Sequence, residues 1–235
     1  GAGGIVGYGV SGTVVTSHME GIVTGYYSIG GVIGYTETEV RIASSYATGE
    51  VLGEFLVGGL VGVNYGEVTS CYSTCEVTGT SDYLGGLVAW NEGGTIELCY
   101  ATGSVVGDDY VGGLVGANGD PDTSLTSGGP ISLCYAVGDV TGDQFVGGLV
   151  GWNEGGAVDL CYASGSVVGR NFLGGLVGTN GHPNATGDTG GPITSCYATG
   201  SVAAAGDYAG GLVGFNRIAL IRTCYARGSV SCSGQ

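Results

Sequence analysis

Apolar residues along this chain come in short packets, and the packets repeat. One phrase recurs as "VGGLVGVN" from Val57, "LGGLVAWN" from Leu84, "VGGLVGAN" from Val111, "VGGLVGWN" from Val146, "LGGLVGTN" from Leu173 and "AGGLVGFN" from Ala209. After each comes a second packet, an aliphatic residue leading into a Cys-Tyr pair, as in "ISLCYAVG". A third centres on a valine: Val77, Val105, Val140, Val167, Val202 and Val230. Each packet is about four to six residues long and is bounded by Gly, Asn or Asp, the signature of a short strand. The pattern predicts three short strands per unit.

The first glycine of each pair falls at Gly3, Gly30, Gly58, Gly85, Gly112, Gly147, Gly174 and Gly210. The steps are 27, 28, 27, 27, 35, 27 and 36 residues. A period in this range marks a repeat architecture. The two long steps arise at one corner: residues 119–130 and 181–192 stand where other units have four residues, such as "EGGT" after Asn91. Insertions confined to one corner suit a coil with fixed walls. Strands this short are not stable alone. Stacked coil on coil, they pair in parallel and bury their apolar sides against their neighbours. The expected fold is an all-β, right-handed parallel β-helix. It forms one domain over residues 1–235, with about eight coils of about 27 residues, and its hand follows the crossover preference. A propeller blade needs about 40–45 residues, and the leucine-rich phrase is absent.

The pattern "GGLVG-x-N…I-x-x-CYA-x-G-x-V" resembles the GLUG motif repeat of bacterial surface and secreted proteins, including repeat regions of some IgA-cleaving metalloproteases. The resemblance covers nearly the whole chain. Units one and two depart from it, with "GGIVG" and "GGVIG", no corner asparagine and no cysteine. It implies an extracellular, adhesive or scaffolding role and transfers no catalytic residue.

Stacking in register would turn each repeated residue into a column. Asn64, Asn91, Asn118, Asn153, Asn180 and Asn216 share one corner. Asparagine tolerates left-handed backbone, and its amide can bond from coil to coil, so the column reads as structural. Cys71, Cys99, Cys134, Cys161, Cys196 and Cys224 form a second column, continued by Ser45 and Ser17. In-register strands align side chains rather than crossing them, which favours reduced, buried thiols. Disulfides between adjacent coils are the rival reading in a secreted protein. Cys75 and Cys232 lie outside the column. Alternation turns the neighbouring column outward: Tyr46, Tyr72, Tyr100, Tyr135, Tyr162, Tyr197 and Tyr225, with His18 before it. Such a row of exposed rings either stacks on itself or offers a contact surface to a protein, a sister filament or a sugar. A second aromatic row, Tyr83, Tyr110, Phe145, Phe172 and Tyr208, reads as packing. Beside it Asp82, Asp109, Gln144, Asn171 and Asp207 read as solvated turn caps rather than a calcium column.

Composition narrows the function. The 53 glycines and 43% hydrophobic content exclude disorder and collagen. A net charge of −15, with no lysine, repels phosphate backbones and excludes nucleic-acid partners. No run of apolar residues is long enough to cross a membrane as a helix. With no CxxC and two histidines, no metal or cofactor site is expected. The acids are dispersed. Glu67, Glu97 and Asp159 share a wall position but are interrupted by Thr69, Ser132 and Thr194, and both histidines read as solvated, so a polysaccharide-acting enzyme is disfavoured. Asn184-Ala-Thr186 fits a glycosylation triplet. The chain opens inside the repeat and has no polar cap, which reads as a segment of a longer array or a subunit with open edges. The expected role is an extracellular structural subunit of a head-to-tail filament. The alternative is a repeat segment of a surface adhesin that binds protein or glycan.

Overall fold

The computed structural model describes residues 1–121, 127–184 and 190–234. Regular structure among these residues is entirely β, and the pairings between strands are parallel. The strands gather into three sheets, one of eight strands and two of fourteen, stacked as a β-solenoid of about eight turns. Equivalent residues face one another across successive coils: Gly85 opposite Gly112, Asn91 opposite Asn118, Tyr100 opposite Tyr135 and Val105 opposite Val140. Parts of both long loops, residues 122–126 and 185–189, lie outside the described residues.

The first two coils have the three expected strands, as Tyr27–Gly30, Ile33–Ala43 and Tyr46–Gly53 in the second; from the third coil on, two of the three are broken by a turn, giving five. In the fourth coil they are Leu84–Gly85, Val88–Asn91, Thr95–Glu97, Tyr100–Ala101 and Val105–Val106. The Gly-Gly-Leu-Val phrase spans a corner between two sheets rather than lying in one strand. The corner explains the double glycine. A Cβ on Gly113 would come within 2.1 Å of the Gly148 carbonyl and 3.0 Å of the Ala136 methyl, so adjacent coils pass too closely for a side chain.

A second corner breaks the Ile-to-Cys packet. The residue before each member of the cysteine column is left-handed: Thr16, Ser44, Ser70, Leu98, Leu133, Leu160, Ser195 and Thr223, with φ between 48° and 58°. None is Gly or Asn, although this conformation costs about 1–2 kcal/mol in other residues. The ladders on both sides of the corner hold it in place. The corner also resets the alternation. Ile96 and Cys99 both point inward, three residues apart, and Ala101 follows Cys99 at the ordinary spacing of two.

The core is a set of vertical columns. The fourth coil contributes Leu84, Leu87, Val88, Ile96, Cys99, Ala101 and Val105, and the fifth contributes Val111, Leu114, Val115, Ile131, Cys134, Ala136 and Val140, all buried. Burying each larger aliphatic side chain contributes roughly 1.5–3 kcal/mol. A smaller cluster lies outside the main core, where Leu56, Val63, Tyr83, Ala89, Ala117 and Trp152 pack beneath the second aromatic row.

Candidate functional site

The asparagine corner is a continuous amide ladder. Each Nδ2 donates to the next Oδ1: Asn64 to Asn91 at 2.7 Å, Asn91 to Asn118 at 2.7 Å, and Asn118 to Asn153, Asn153 to Asn180 and Asn180 to Asn216 at 2.8 Å. The other N–H of each amide closes its own turn, as from Asn91 to the Gly94 carbonyl at 2.7 Å and from Asn118 to the Gly129 carbonyl at 2.9 Å. Asn64 through Asn180 are completely buried. Their hydrogen-bonding capacity is used internally, so the column closes the turns and ties one coil to the next.

All eight cysteines are free. In the column, Cys71, Cys99, Cys134, Cys161 and Cys196 are buried and Cys224 is half-buried. Each thiol donates to the carbonyl two residues earlier, as Cys134 to Ser132 at 3.0 Å. The Cys71, Cys99, Cys161 and Cys196 N–H groups each donate to the next sulfur at 3.4 Å. Hydrogen bonding to the neighbouring thiol, together with burial, pushes the Cys71, Cys134 and Cys196 thiols up, while hydrogen bonds from those neighbours hold Cys99 and Cys161 down, to about 4. Cys75 occupies the place that glycine holds in later coils and is buried in the core. Cys232 is exposed, with its sulfur 2.8 Å from the Gly206 carbonyl.

The tyrosine column faces outward. From His18 through Tyr46, Tyr72, Tyr100, Tyr135, Tyr162 and Tyr197 to Tyr225, ring centroids are 4.8–5.0 Å apart and ring planes differ by 1–6°. Tyr46 through Tyr197 are half-buried rather than fully exposed, because each ring covers its neighbours' faces; His18 and Tyr225, in the first and last coils, are exposed. The Arg227 guanidinium lies over the Tyr225 ring at 5.3 Å. The surface left to solvent is a row of ring edges and hydroxyls.

The acids do not form a pair suited to hydrolysis. Glu97 lies between Thr69 and Ser132, and Asp159 between Ser132 and Thr194. Thr194 donates a hydrogen bond to Asp159. Glu67 is two residues out of this column, opposite Thr95 and Arg41, with its carboxylate 3.5 Å from the Arg41 guanidinium. The caps beside the second aromatic row bond to backbone one coil on: the Gln144 N–H donates to Asp109 at 3.0 Å and the Asp207 N–H to Asn171 at 2.8 Å. Asp108, Asp109 and Asp143 bring carboxylate oxygens within 4.8 Å of one another. Asp143 is paired with Arg170 at 2.6 Å, which holds its carboxyl below the usual range. Burial, with Asp82, Asp108 and Asp143 nearby, pushes Asp109 up to about 6.

One feature has no counterpart among the sequence columns. The long loops leave the fifth and seventh coils, and the sixth coil between them has none. Over it lies a cleft of about 300 Å³ walled by Pro121 from one loop and by His182, Pro183 and Asn184 from the other. Trp152, Phe145, Tyr110 and Phe172 line it. His182 meets the Trp152 ring edge-on at 5.4 Å rather than standing free in solvent. Asn184 lies within this wall, while Thr186, which completes its glycosylation triplet, lies outside the described residues. The sequence carried one sign of the cleft, a tryptophan standing where the adjacent coils have Ala117 and Thr179.

The GLUG motif family matches residues 53–78, 80–106 and 146–168. The chain carries GLUG repeats. No curated protein and no solved structure matches the chain. The first two matches each run from one valine-centred strand to the next, so one GLUG repeat is one coil: its glycines make the close corner, and its valine lies in the core. No helix among the described residues is long and apolar enough to cross a membrane.

Proposed function

We propose that the chain is a non-enzymatic structural element of a secreted or surface protein, and that its coils continue head to tail through stacking of further copies. The observation that carries this reading is the use made of the repeated polar residues. Asn and Cys columns spend their hydrogen bonds between coils, and the tyrosine column spends its ring faces there. Such a wall gains rigidity with every coil added, as expected of a scaffold or spacer. Inside the stack each coil seals the next, with Ile193 and Val202 0% and 1% exposed. A second copy seated in register would continue these columns and extend the solenoid by about 38 Å per copy at the strand spacing. Electron microscopy and sedimentation of the purified chain test this. Rods that lengthen with concentration are expected; uniform single-chain particles at neutral pH across the micromolar range would overturn the stacking.

A further inference from the structure

We infer that the wall bearing the tyrosine column is a lateral interface, on which a second copy of the chain docks antiparallel, coil against coil. This contact is separate from end-to-end stacking and does not depend on it. The wall runs from the tyrosine column to the outward residue of each valine-centred strand, with every second side chain facing out.

Its middle is apolar where the fold does not require it. Leu98, Leu133 and Leu160 edge the wall in the fourth to sixth coils and are 53%, 45% and 52% exposed. They are left-handed, and Ser or Thr fills the same place in the remaining coils. Leucine there gains nothing from the core and is disfavoured by the backbone. Val106, Val137 and Val168 are exposed on the wall in the same three coils. An exposed apolar patch gathered at the centre of one face marks a contact.

The charges choose the occupant. The charged residues that the wall turns outward are Glu20, Glu50 and Glu76 in the first three coils, Asp139 in the fifth and Arg227 in the last. A chain with a net charge of −15 pairs with itself only where its acids avoid one another. A two-fold axis lying across the wall between the fourth and fifth coils meets this condition. It sets Leu98 against Leu133 of the second copy. Within the same columns Glu50, Glu76 and Asp139 face Ser201, Ser166 and Ser104, and Glu20 faces Arg227. A parallel pair would hold each acid at the level of its own copy and Arg227 beside Arg227. The wall measures about 38 Å by about 20 Å at strand dimensions, so two copies would bury roughly 1,500 Å² in total, the size of a standard stable interface.

Sedimentation equilibrium and spin-label distance measurements on the purified chain test this. A dimer is expected in the micromolar range. Leu98→Ser, Leu133→Ser and Leu160→Ser together should weaken it about tenfold or more while thermal stability holds, because serine already serves at this place in other coils. Orientation is read from single labels on Thr80→Cys and Ala205→Cys at the margin of the wall, with Cys232→Ser to remove the exposed thiol. In an antiparallel pair the label in the third coil lies about three coil spacings from its copy along the axis, about 14 Å, and the label in the seventh about five, about 24 Å. End-to-end stacking places both about 38 Å from their copies, and a parallel pair gives both the same distance. The proposal is overturned if the chain does not associate up to about 100 μM, if the serine variant pairs as tightly as the parent, or if the two labels give equal distances.

Discussion

The second and fourth coils follow the same path with different sequences. The second carries eleven residues, Ile33–Ala43, through in one strand. The fourth breaks that path into Val88–Asn91 and Thr95–Glu97. At that corner the second coil has five residues and no glycine between Thr36 and Ile42, while the fourth has four between Asn91 and Ile96, with Gly93 left-handed at φ 71°; the column residue differs too. Thr36 stands where the later coils have asparagine, and its hydroxyl donates to Asn64 Oδ1 at 3.1 Å. A hydroxyl has one proton. An amide has two, so Asn91 bonds to the next coil and also holds the Gly94 carbonyl that closes its turn. Without that second proton, and with no glycine to take a left-handed turn, the strand runs on. The cysteine column gives the opposite result. Ser45 stands in place of a cysteine, donates to the carbonyl two residues earlier at 2.9 Å, and accepts from the Ser17 N–H at 3.2 Å. Cys71 makes the first of these bonds at 3.1 Å. This column requires a small group that can donate and accept, and either element serves.

Asn118→Ala gives the largest expected effect. It removes an amide that bonds to Asn91, Asn153 and Gly129 and leaves buried partners unpaired, so unfolding free energy should fall by about 2–4 kcal/mol in chemical denaturation. Thr36→Ala should cost about 1 kcal/mol, since one hydroxyl is lost near the end of the stack. Equal losses would erase the distinction between the two corners.

Exchange in the sulfur column sharpens the contrast. Cys134→Ser and Ser45→Cys should each change stability by less than about 1 kcal/mol, because the acceptor carbonyls are already in place. A loss at Cys134→Ser as large as that at Asn118→Ala would mean that the column depends on sulfur itself.

The smallest effect is a stabilising one. Burial raises Asp109 from 3.8 to about 6. A carboxyl raised in the folded state supports folding fully below its unfolded value and loses that support as pH rises through its folded value. Asp109→Asn should therefore match the parent near pH 4 and exceed it by less than about 1 kcal/mol at pH 7, where the parent carries the desolvated charge. A variant that gains nothing between these two pH values would count against burial as the cause.

The repeat itself fixed the solenoid, the coil count and the membership of the Asn, Cys and Tyr columns, because register stacking follows from identical residues at a constant step; Glu67, which is not part of the repeated phrase, fell outside the column its position suggested. Cys99 and Tyr100 on opposite faces were legible from alternation alone. The tertiary structure decided the five-strand coil. Leu98 and Leu133 turn left-handed without being Gly or Asn, a conformation that no local preference predicts and that the flanking ladders impose. The tertiary structure also decided the cleft. Phe145 belongs to the second aromatic row, Trp152 to the column of Ala117 and Thr179, and His182 and Pro121 to no column, and they meet only because two loops rise on either side of a coil that lacks one. Periodicity shows in a sequence because each copy reports the same environment. A site built where neighbouring copies differ has no period, and only the packing of coil on coil brings it together.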